Sequence, residues 1–250
     1  MTLRRRLTRP SGSKHPQNWL APDRVGSGTA LVSEPGRATE PACGFSAGRC
    51  GCNSSCRTQR RLRLANRVDR VTLRLGAGEG IDVQLETDRL LLRPWRTSEA
   101  VVLHDLWTER DPRVPPHRRI DADGHPTVTD LEDWIRTNQP SSIGLLAVER
   151  KAARDVIGYC GLVDSGRGSD GEPELAFELL RRVWRQGYAT EASLAVLDWA
   201  RSSGYERLWA TVREWNTASR RVLAKVGFTE TERKELDAVY GNNLFTTRRL

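Results

Sequence analysis

The stretch WRQGYATEA, residues 184–192, decides the fold, because it joins a short apolar run to the most regular helical pattern in the chain. Behind it, apolar residues recur at the i, i+3, i+4, i+7 and i+8 positions of one helix face: Ala192, Ala195, Val196, Trp199 and Ala200. Gly204 stands where such a helix would end. The stretch therefore predicts a strand, a tight turn and a long amphipathic helix.

The turn before this helix also has the composition of an anion site. The first N–H groups of a helix have no intrahelical partner, so a phosphate can bind there when the nearby residues are small. Gly187 permits the tight turn, Ala189 keeps the first helical turn narrow, and Arg185 adds a positive charge. A glycine before a helix is also ordinary turn chemistry, so this segment alone leaves both interpretations open.

The elements around this stretch mix strands and helices. Upstream, the pattern predicts a strand at 83–95, a helix ending at Trp107, a helix at 129–135, a hairpin of strands at 143–149 and 155–163, and a strand at 173–180. Downstream it predicts a strand at 205–213, a helix at 217–226 and two closing strands in the last twenty residues. The sequence therefore predicts a mixed α/β domain of roughly 170 residues, which is large enough to bury a substantial core.

Residues 1–80 differ from this domain in composition. They hold 15 Lys and Arg against 5 Asp and Glu, which leaves 25 against 27 for residues 81–250. The segment lacks any helical or strand period, so we expect a disordered tail at 1–80 and a folded domain at 81–250. Because the domain is nearly neutral, we do not expect it to bind nucleic acid. Phosphate binding by the basic tail stays open as an alternative.

Several classes of protein are excluded or disfavoured. No apolar run reaches the roughly 18–20 residues of a membrane span, and the basic N-terminus lacks the apolar segment of an export signal. Four of the five cysteines lie in the tail, at spacings that do not follow paired Cys-x-x-Cys motifs: Cys43, Cys50, Cys52 and Cys56. We therefore expect a cytoplasmic protein without a bound metal.

A second segment, residues 216–228, follows the predicted strand at 205–213. Asn216 is a favoured helix N-cap, and Gly227 followed by Phe228 forms a left-handed stop with a hydrophobic contact. Folding accounts for every singled-out residue of the segment except Ser219, which the helical pattern leaves unexplained.

Together these segments resemble the GCN5-related N-acetyltransferase (GNAT) superfamily, and within it the ribosomal-protein N-acetyltransferases of the RimJ and RimL type. The resemblance covers about residues 84–250 and none of the tail. Five motifs carry it in order: ETDRLLLRPW at 86–95, VIGYCG at 156–161, ELAFEL at 174–179, GYATEA at 187–192, and residues 216–228.

The resemblance implies a GNAT-like acyl-CoA N-acyltransferase fold, whose central, mostly antiparallel sheet is splayed at its fourth and fifth strands, here 173–180 and 205–213. Acetyl-CoA would be the donor, with its pantetheine arm between those strands and a backbone N–H of Leu179 or Leu180 stabilising the oxyanion. The pyrophosphate would bind the phosphate loop, which comprises Arg185, Gln186, Gly187, Tyr188, Ala189 and Thr190. Asn216 would complete the cofactor-binding residues. The chain departs from the family pattern at Arg185, which replaces the first glycine.

The chemical step requires a neutral amine, which an α-amine of pKa about 7.7–8.0 supplies more readily than a lysine of about 10.4. We expect Glu174 to accept the proton, through water, and Ser219 to protonate the departing thiolate. The alternative for Glu174 is a strand residue that faces solvent, and the alternative for Ser219 is an ordinary serine in the first turn of a helix. A protein N-terminal α-amine is the expected acceptor, with a small-molecule amine or antibiotic, or a non-catalytic acyl-CoA-binding module, as alternatives. The protein would act as a monomer or homodimer.

Overall fold

A computed structural model describes residues 70–75, 81–139, 144–168 and 171–250 of the 250-residue chain. Nine strands form one sheet within these residues. The strands are β1 (Arg70–Leu75), β2 (Ile81–Glu86), β3 (Leu90–Arg93), β4 (Gly144–Arg150), β5 (Asp155–Val163), β6 (Glu174–Leu179), β7 (Arg207–Arg213), β8 (Thr229–Glu235) and β9 (Asn243–Arg249).

Four α-helices connect these strands: α1 (Ala100–Thr108), α2 (Val128–Thr137), α3 (Tyr188–Ser202) and α4 (Thr217–Lys225). Short 3₁₀ turns occupy Thr97–Glu99, Pro116–Arg118 and Arg181–Val183. None of the helices in the described residues is long and apolar enough to span a membrane.

The strand order is β1-β2-β3-β4-β5-β6-β7-β9-β8, and every neighbouring pair is antiparallel except β6 and β7. Side chains alternate between the two faces of each strand. On β6, Leu175 and Leu179 pack with the apolar face of α3, whereas Ala176 packs with α1 and α2 on the opposite face. The sheet is therefore covered by α3 on one face and by α1 and α2 on the other.

The parallel pair β6–β7 opens into a gap. The strands meet only at their beginning, where the Trp209 N–H donates to the Pro173 carbonyl at 3.0 Å and Glu174 lies opposite Trp209. The next inward-facing N–H of β7, at Thr211, donates to the Glu174 carboxylate at 2.8 Å rather than to a β6 carbonyl. Beyond this point the strands separate, which confirms the predicted mostly antiparallel sheet with a splayed pair.

The single strand predicted at 83–95 is wrong: the chain forms the hairpin β2–β3 there. A turn at residues 87–89 separates the strands, because the Thr87 N–H donates to the Leu90 carbonyl and the Leu90 N–H donates to the Thr87 hydroxyl, both at 3.0 Å. A threonine hydroxyl can replace a backbone partner in a turn in this way. The three polar residues Thr87, Asp88 and Arg89 were the sequence signal for it.

The sheet also begins earlier than predicted. Strand β1 lies within the segment 1–80 that was expected to be disordered, and it pairs with β2 along its whole length, from Arg70 opposite Glu86 to Leu75 opposite Ile81. Residues 1–69, including the four tail cysteines, lie outside the described residues. The other elements follow the predicted order, with ends that differ by a few residues.

Candidate active site

The N-terminus of α3 presents free backbone donors. Gly187 is the N-cap residue in the left-handed conformation, with φ of 84°, and no side chain among the described residues caps the helix. The first bond within the helix runs from the Glu191 N–H to the Gly187 carbonyl at 3.0 Å. The N–H groups of Tyr188, Ala189 and Thr190 therefore precede the helical bonding pattern and are suited to an anion.

Arg185, which stands where the family pattern has a glycine, adopts a backbone conformation typical of glycine. Its φ is 63°, a left-handed conformation that glycine adopts without strain and that costs an L-residue about 1–2 kcal/mol. The loop therefore has left-handed residues at both Arg185 and Gly187, although an arginine stands at the first of these positions. The side chain of Arg185 is exposed at the surface, where its charge can face a bound anion.

An ion pair anchors the phosphate loop to the β2–β3 turn. Glu191 is only 1% exposed, and its carboxylate accepts from the Thr87 hydroxyl at 2.6 Å, the Arg89 N–H at 3.0 Å and Arg89 Nε at 2.7 Å. Arg89 Nη1 also donates to the Gln186 carbonyl at 3.0 Å, and its guanidinium lies 4.5 Å above the Tyr188 ring. The anchor therefore acts on both the backbone and a side chain of the loop.

This anchor cannot be predicted from the local sequence. Its members lie within two of the matched motifs, but 102 residues separate Arg89 from Glu191, and no local pattern pairs them. The available signal was Glu191 itself, a carboxylate next to the apolar face of a regular helix. Such a position calls for a buried partner, because an unpaired buried charge is strongly unfavourable.

The two backbone N–H groups that the resemblance implies as oxyanion donors, those of Leu179 and Leu180, point in different directions. The Leu180 N–H donates to the Ile157 carbonyl at 2.9 Å, so it is already taken by β5. Leu179 pairs with Gly158, and its carbonyl accepts instead from Trp184 Nε1 at 2.7 Å, on the side away from β5. In an antiparallel pair of this type the N–H and carbonyl of one residue point the same way. The Leu179 N–H therefore points toward the gap.

Glu174 lies where the gap closes. It is 4% exposed, and its Oε1 accepts from both the N–H and the hydroxyl of Thr211. Its Oε2 is buried and has no hydrogen-bond partner among the described residues. Glu174 is therefore not a solvent-facing strand residue: it is a buried carboxylate with one oxygen held by Thr211 and the other without a partner in the described residues.

A second carboxylate, Glu178, lies on the same face of β6 and was not singled out from the sequence. Arg110 donates to it through Nε at 2.9 Å and Nη2 at 2.7 Å, and the Tyr159 hydroxyl donates at 2.9 Å. Burial would raise the pKa of Glu178, but the charge of Arg110 and these hydrogen bonds outweigh it and lower the pKa. Burial and the neighbouring carboxylate raise the pKa of Tyr159 above its ordinary value. Glu178 is therefore held as a paired anion.

The two predicted residues of α4 take different roles. The Asn216 side chain caps the helix by accepting from the Ser219 N–H at 3.1 Å, as the sequence pattern predicted. The Ser219 hydroxyl is partly exposed and has no protein partner in the described part of the chain. Within that part, no cluster of three or more His, Cys, Asp or Glu side chains is arranged to hold a metal.

Known proteins resemble the chain in both sequence and fold. YkkB of Bacillus subtilis (strain 168), a protein described as uncharacterized, is 30% identical over 158 residues, which are 60% of this chain and 89% of YkkB. The structure of a GNAT-family acetyltransferase from Bacillus anthracis matches with a TM-score of 0.55 and 19% identity, covering 66% of this chain and 98% of that one. RimJ of Mycobacterium smegmatis, in complex with CoA-disulfide, matches with a TM-score of 0.52 and 21% identity, covering 73% of this chain and 86% of that one.

The structural matches establish a shared fold, and the family match establishes membership. The family model described as an acetyltransferase (GNAT) domain matches residues 89–229, more than half of the chain. This range contains the phosphate loop, the splayed strands and Glu174. The chain therefore belongs to the GNAT family of acetyl-CoA-dependent acetyltransferases.

Proposed function

We propose that this acetyltransferase acts on a primary amine, and that its preferred acceptor is the α-amine of a protein N-terminus. The observation that carries the proposal is the gap between β6 and β7. It has the uncapped N-terminus of α3 at its open end and the free Oε2 of Glu174 where it closes. A donor bound at the open end would bring its acyl group toward this carboxylate.

The donor site uses backbone groups and one anchor. The N–H groups of residues 187–190 would hold the pyrophosphate of acetyl-CoA, with Arg185 adding charge. The Arg89–Glu191 pair keeps the loop in place without using these N–H groups, because it bonds the Gln186 carbonyl. The pantetheine arm would lie between β6 and β7, and the Leu179 N–H would bond the thioester oxygen as negative charge develops there.

The chemical step needs a group that accepts a proton from the amine. Glu174 fits this role, acting through water, because its Oε2 has no partner among the described residues while Thr211 fixes Oε1. Water has to connect the two groups, since Glu174 and the Leu179 N–H lie at opposite ends of β6. Ser219 would donate a proton to the departing CoA thiolate, which needs only modest help near neutral pH. Ser219→Ala is therefore expected to lower kcat roughly tenfold or less.

The proposed acceptor rests on chemistry and on likeness. An α-amine is partly neutral at pH 7, whereas a lysine amine is almost wholly charged. A single carboxylate is therefore better able to remove the proton from an α-amine than from a lysine. The likeness to RimJ of Mycobacterium smegmatis supports the ribosomal-protein branch. Acetyl-CoA is an intracellular metabolite, so we also propose a cytoplasmic location.

The decisive experiment measures acetyl transfer by the full chain to a panel of acceptors. The panel contains peptides with a free α-amine, the same peptides with a blocked N-terminus and an internal lysine, free amino acids and aminoglycosides. We expect turnover with the free N-terminal peptides and little with the blocked ones. If an aminoglycoside is turned over faster than the peptides, the proposed protein acceptor is wrong and a small-molecule amine takes its place. If acetyl-CoA binds but no amine is acetylated, the protein is a non-catalytic module.

We further propose that residues 1–69 are not needed for this activity. The domain boundary moves from residue 81 to Arg70, because β1 pairs with β2. A chain that begins shortly before Arg70 is expected to keep its acetyl transfer and to melt within a few degrees of the full chain. Loss of turnover in this shorter chain would show that the N-terminal segment takes part.

A further inference from the structure

Thr211 donates two hydrogen bonds to one oxygen of Glu174. It lies on β7, and both its N–H, at 2.8 Å, and its hydroxyl donate to Glu174 Oε1. In a continued parallel ladder the Thr211 N–H would bond a carbonyl of β6. The carboxylate replaces that carbonyl at the point where the strands separate, so Thr211 determines how Glu174 is seated.

Arg167 determines which way the Thr211 hydroxyl points. Arg167 is buried, and its Nη1 lies 3.3 Å from the Thr211 hydroxyl oxygen. A guanidinium can only donate hydrogen bonds, so the hydroxyl oxygen accepts from Arg167 and its hydrogen is left for Glu174. The bond from Thr211 to Glu174 Oε1 therefore has a fixed direction.

We propose that Thr211 is a positioning residue that occupies Glu174 Oε1 and thereby makes Oε2 the atom that receives, through water, the proton of the acceptor amine. The inference rests on the proposed function, in which Glu174 is the base. It adds the atom that reacts and the residue that selects it. Two observations support it: the two hydrogen bonds that Thr211 donates to Oε1, and the absence of a partner for the buried Oε2 within the described residues.

The expected effect follows from how freely a carboxylate turns. Rotation about the last torsion of a glutamate is broad, so the backbone N–H of Thr211 alone holds the group less firmly than two donors. A misplacement of about 1 Å can cost a reaction roughly 100-fold, and a partial loss of orientation should cost less. We expect removal of the hydroxyl to lower kcat about tenfold.

The test compares Thr211→Val with Thr211→Ser in the full chain. Valine keeps the shape and β-branching of threonine without the hydroxyl, whereas serine keeps the hydroxyl without the methyl group. We expect kcat to fall about tenfold in Thr211→Val and to stay within about twofold in Thr211→Ser. The KM for acetyl-CoA should change little in both, because Thr211 lies at the closed end of the gap.

The melting temperature separates positioning from folding. A structural role would lower kcat in proportion to lost stability and would penalise serine, with its missing methyl group, at least as much as valine. That pattern would overturn the proposal. If Thr211→Val does not fold, Thr211→Ala takes its place and carries the same expectation, because it also lacks the hydroxyl.

Glu174→Gln distinguishes failure of this inference from failure of the proposed function. If Glu174→Gln loses turnover and Thr211→Val does not, the positioning role is wrong and the base assignment stands. If Glu174→Gln keeps full turnover, both the base and its positioning residue are wrong.

Discussion

The two ends of the gap between β6 and β7 are built on different principles. At the closed end, a side chain is the proposed proton acceptor: Glu174 is buried, one oxygen is held by Thr211, and the other has no partner in the described residues. At the open end, the charged side chains Arg89 and Glu191 neutralise each other, and the backbone N–H groups of α3 face outward.

The difference indicates that the open end is suited to binding the pyrophosphate and the closed end to proton transfer. A pyrophosphate bears several oxygens over a wide arc, which suits a row of backbone donors whose positions do not depend on side-chain rotamers. Proton transfer needs a single acceptor atom in a fixed position, reached directly or through water, which suits one oriented carboxylate. We therefore expect changes at the closed end to act on kcat and changes at the open end to act on acetyl-CoA affinity.

The largest expected effect is that of Glu174→Gln. Glutamine keeps an oxygen for Thr211 but cannot accept the proton, and general base assistance typically contributes about 100–10,000-fold. We expect kcat to fall by at least about 100-fold while acetyl-CoA affinity stays nearly unchanged, as measured by steady-state kinetics and calorimetry.

The same experiment carries its own pH check and control. The loss should shrink between about pH 6.5 and 9.5, because the free amine deprotonates in solution as the pH rises. Glu178→Gln is the matched control, since it makes the same change on the same face of β6. A flat ratio across this pH range, or an equal loss of kcat in the control, would remove Glu174 as the base.

The second prediction concerns stability and separates Glu178 from Glu174. Arg110 is only 4% exposed at its side chain, so Glu178→Gln leaves a largely buried guanidinium without its counter-charge. Hydrogen bonds to charged groups contribute about 1.5–3 kcal/mol, and we expect a loss of about 2 kcal/mol, with kcat within a few-fold of normal. For a domain of this size that loss lowers the melting temperature by about 4–8 °C.

The pH dependence of this loss has a definite sign. The pKa of Glu178 is lowered in the folded protein, so its contribution is present above its unfolded value of about 4.3 and disappears as the pH falls through the folded value. The difference between the unmodified protein and Glu178→Gln should therefore narrow below about pH 4. Glu132→Gln, which alters an exposed ion pair with Arg136, is the control and should cost less than about 1 kcal/mol.

The sequence predicted the local parts of both ends but not their long-range pairs. The helix pattern after Gly187, the N-cap at Asn216 and the hairpin β4–β5 arise from residues close in the chain, and the structure contains them. The pairs Arg89–Glu191, Arg110–Glu178 and Thr211–Glu174 span 102, 68 and 37 residues. Strand register and loop path bring these pairs together, and neither can be read from a single sequence.

The proposed oxyanion donor shows the same limit on a smaller scale. The resemblance implied Leu179 or Leu180, two neighbours that differ only in the direction of their N–H groups. That direction depends on the register of β5 against β6, which pairs the Leu180 N–H with Ile157. Residue identity was sufficient to find the segment, and the hydrogen-bond pattern was needed to choose the atom.

The third prediction tests the open end through Gly187→Val. The left-handed φ of 84° disfavours a β-branched residue, so the turn would be strained. A Cβ at this position would lie in van der Waals contact with Arg89 Nη2, at 3.4 Å, and the γ-methyl groups of valine would extend beyond it. We expect acetyl-CoA affinity to fall at least about tenfold, measured by calorimetry. Gly204→Val is the matched control, because Gly204 has a φ of 88° with open space around it at the other end of α3. Equal losses of affinity in both variants would mean that backbone strain, and not the loop, is responsible.

The smallest expected effect is that of Arg185→Gly. It tests whether acetyl-CoA binding at the open end depends on the backbone conformation of the loop or on the charge of Arg185. Replacing a left-handed arginine by glycine relieves about 1–2 kcal/mol of strain, and the greater freedom of glycine in the unfolded chain offsets roughly 0.5–1 kcal/mol of that gain. Arg185→Gly should therefore stabilise the protein by about 0.5–1 kcal/mol, which is seen as a slightly higher melting temperature. It should also weaken acetyl-CoA binding about threefold, because an exposed charge near the pyrophosphate is lost.

Arg154→Gly separates these two effects. Arg154 is also a left-handed arginine, with φ of 54°, and it lies in the turn between β4 and β5 rather than in the phosphate loop. It should give a similar gain in stability with no change in affinity. If Arg185→Gly binds acetyl-CoA as tightly as the unmodified protein, the backbone N–H groups of α3 suffice for the pyrophosphate. If both variants lose affinity equally, the Arg185 side chain has no specific part in donor binding, and its position in the loop is only a matter of turn geometry.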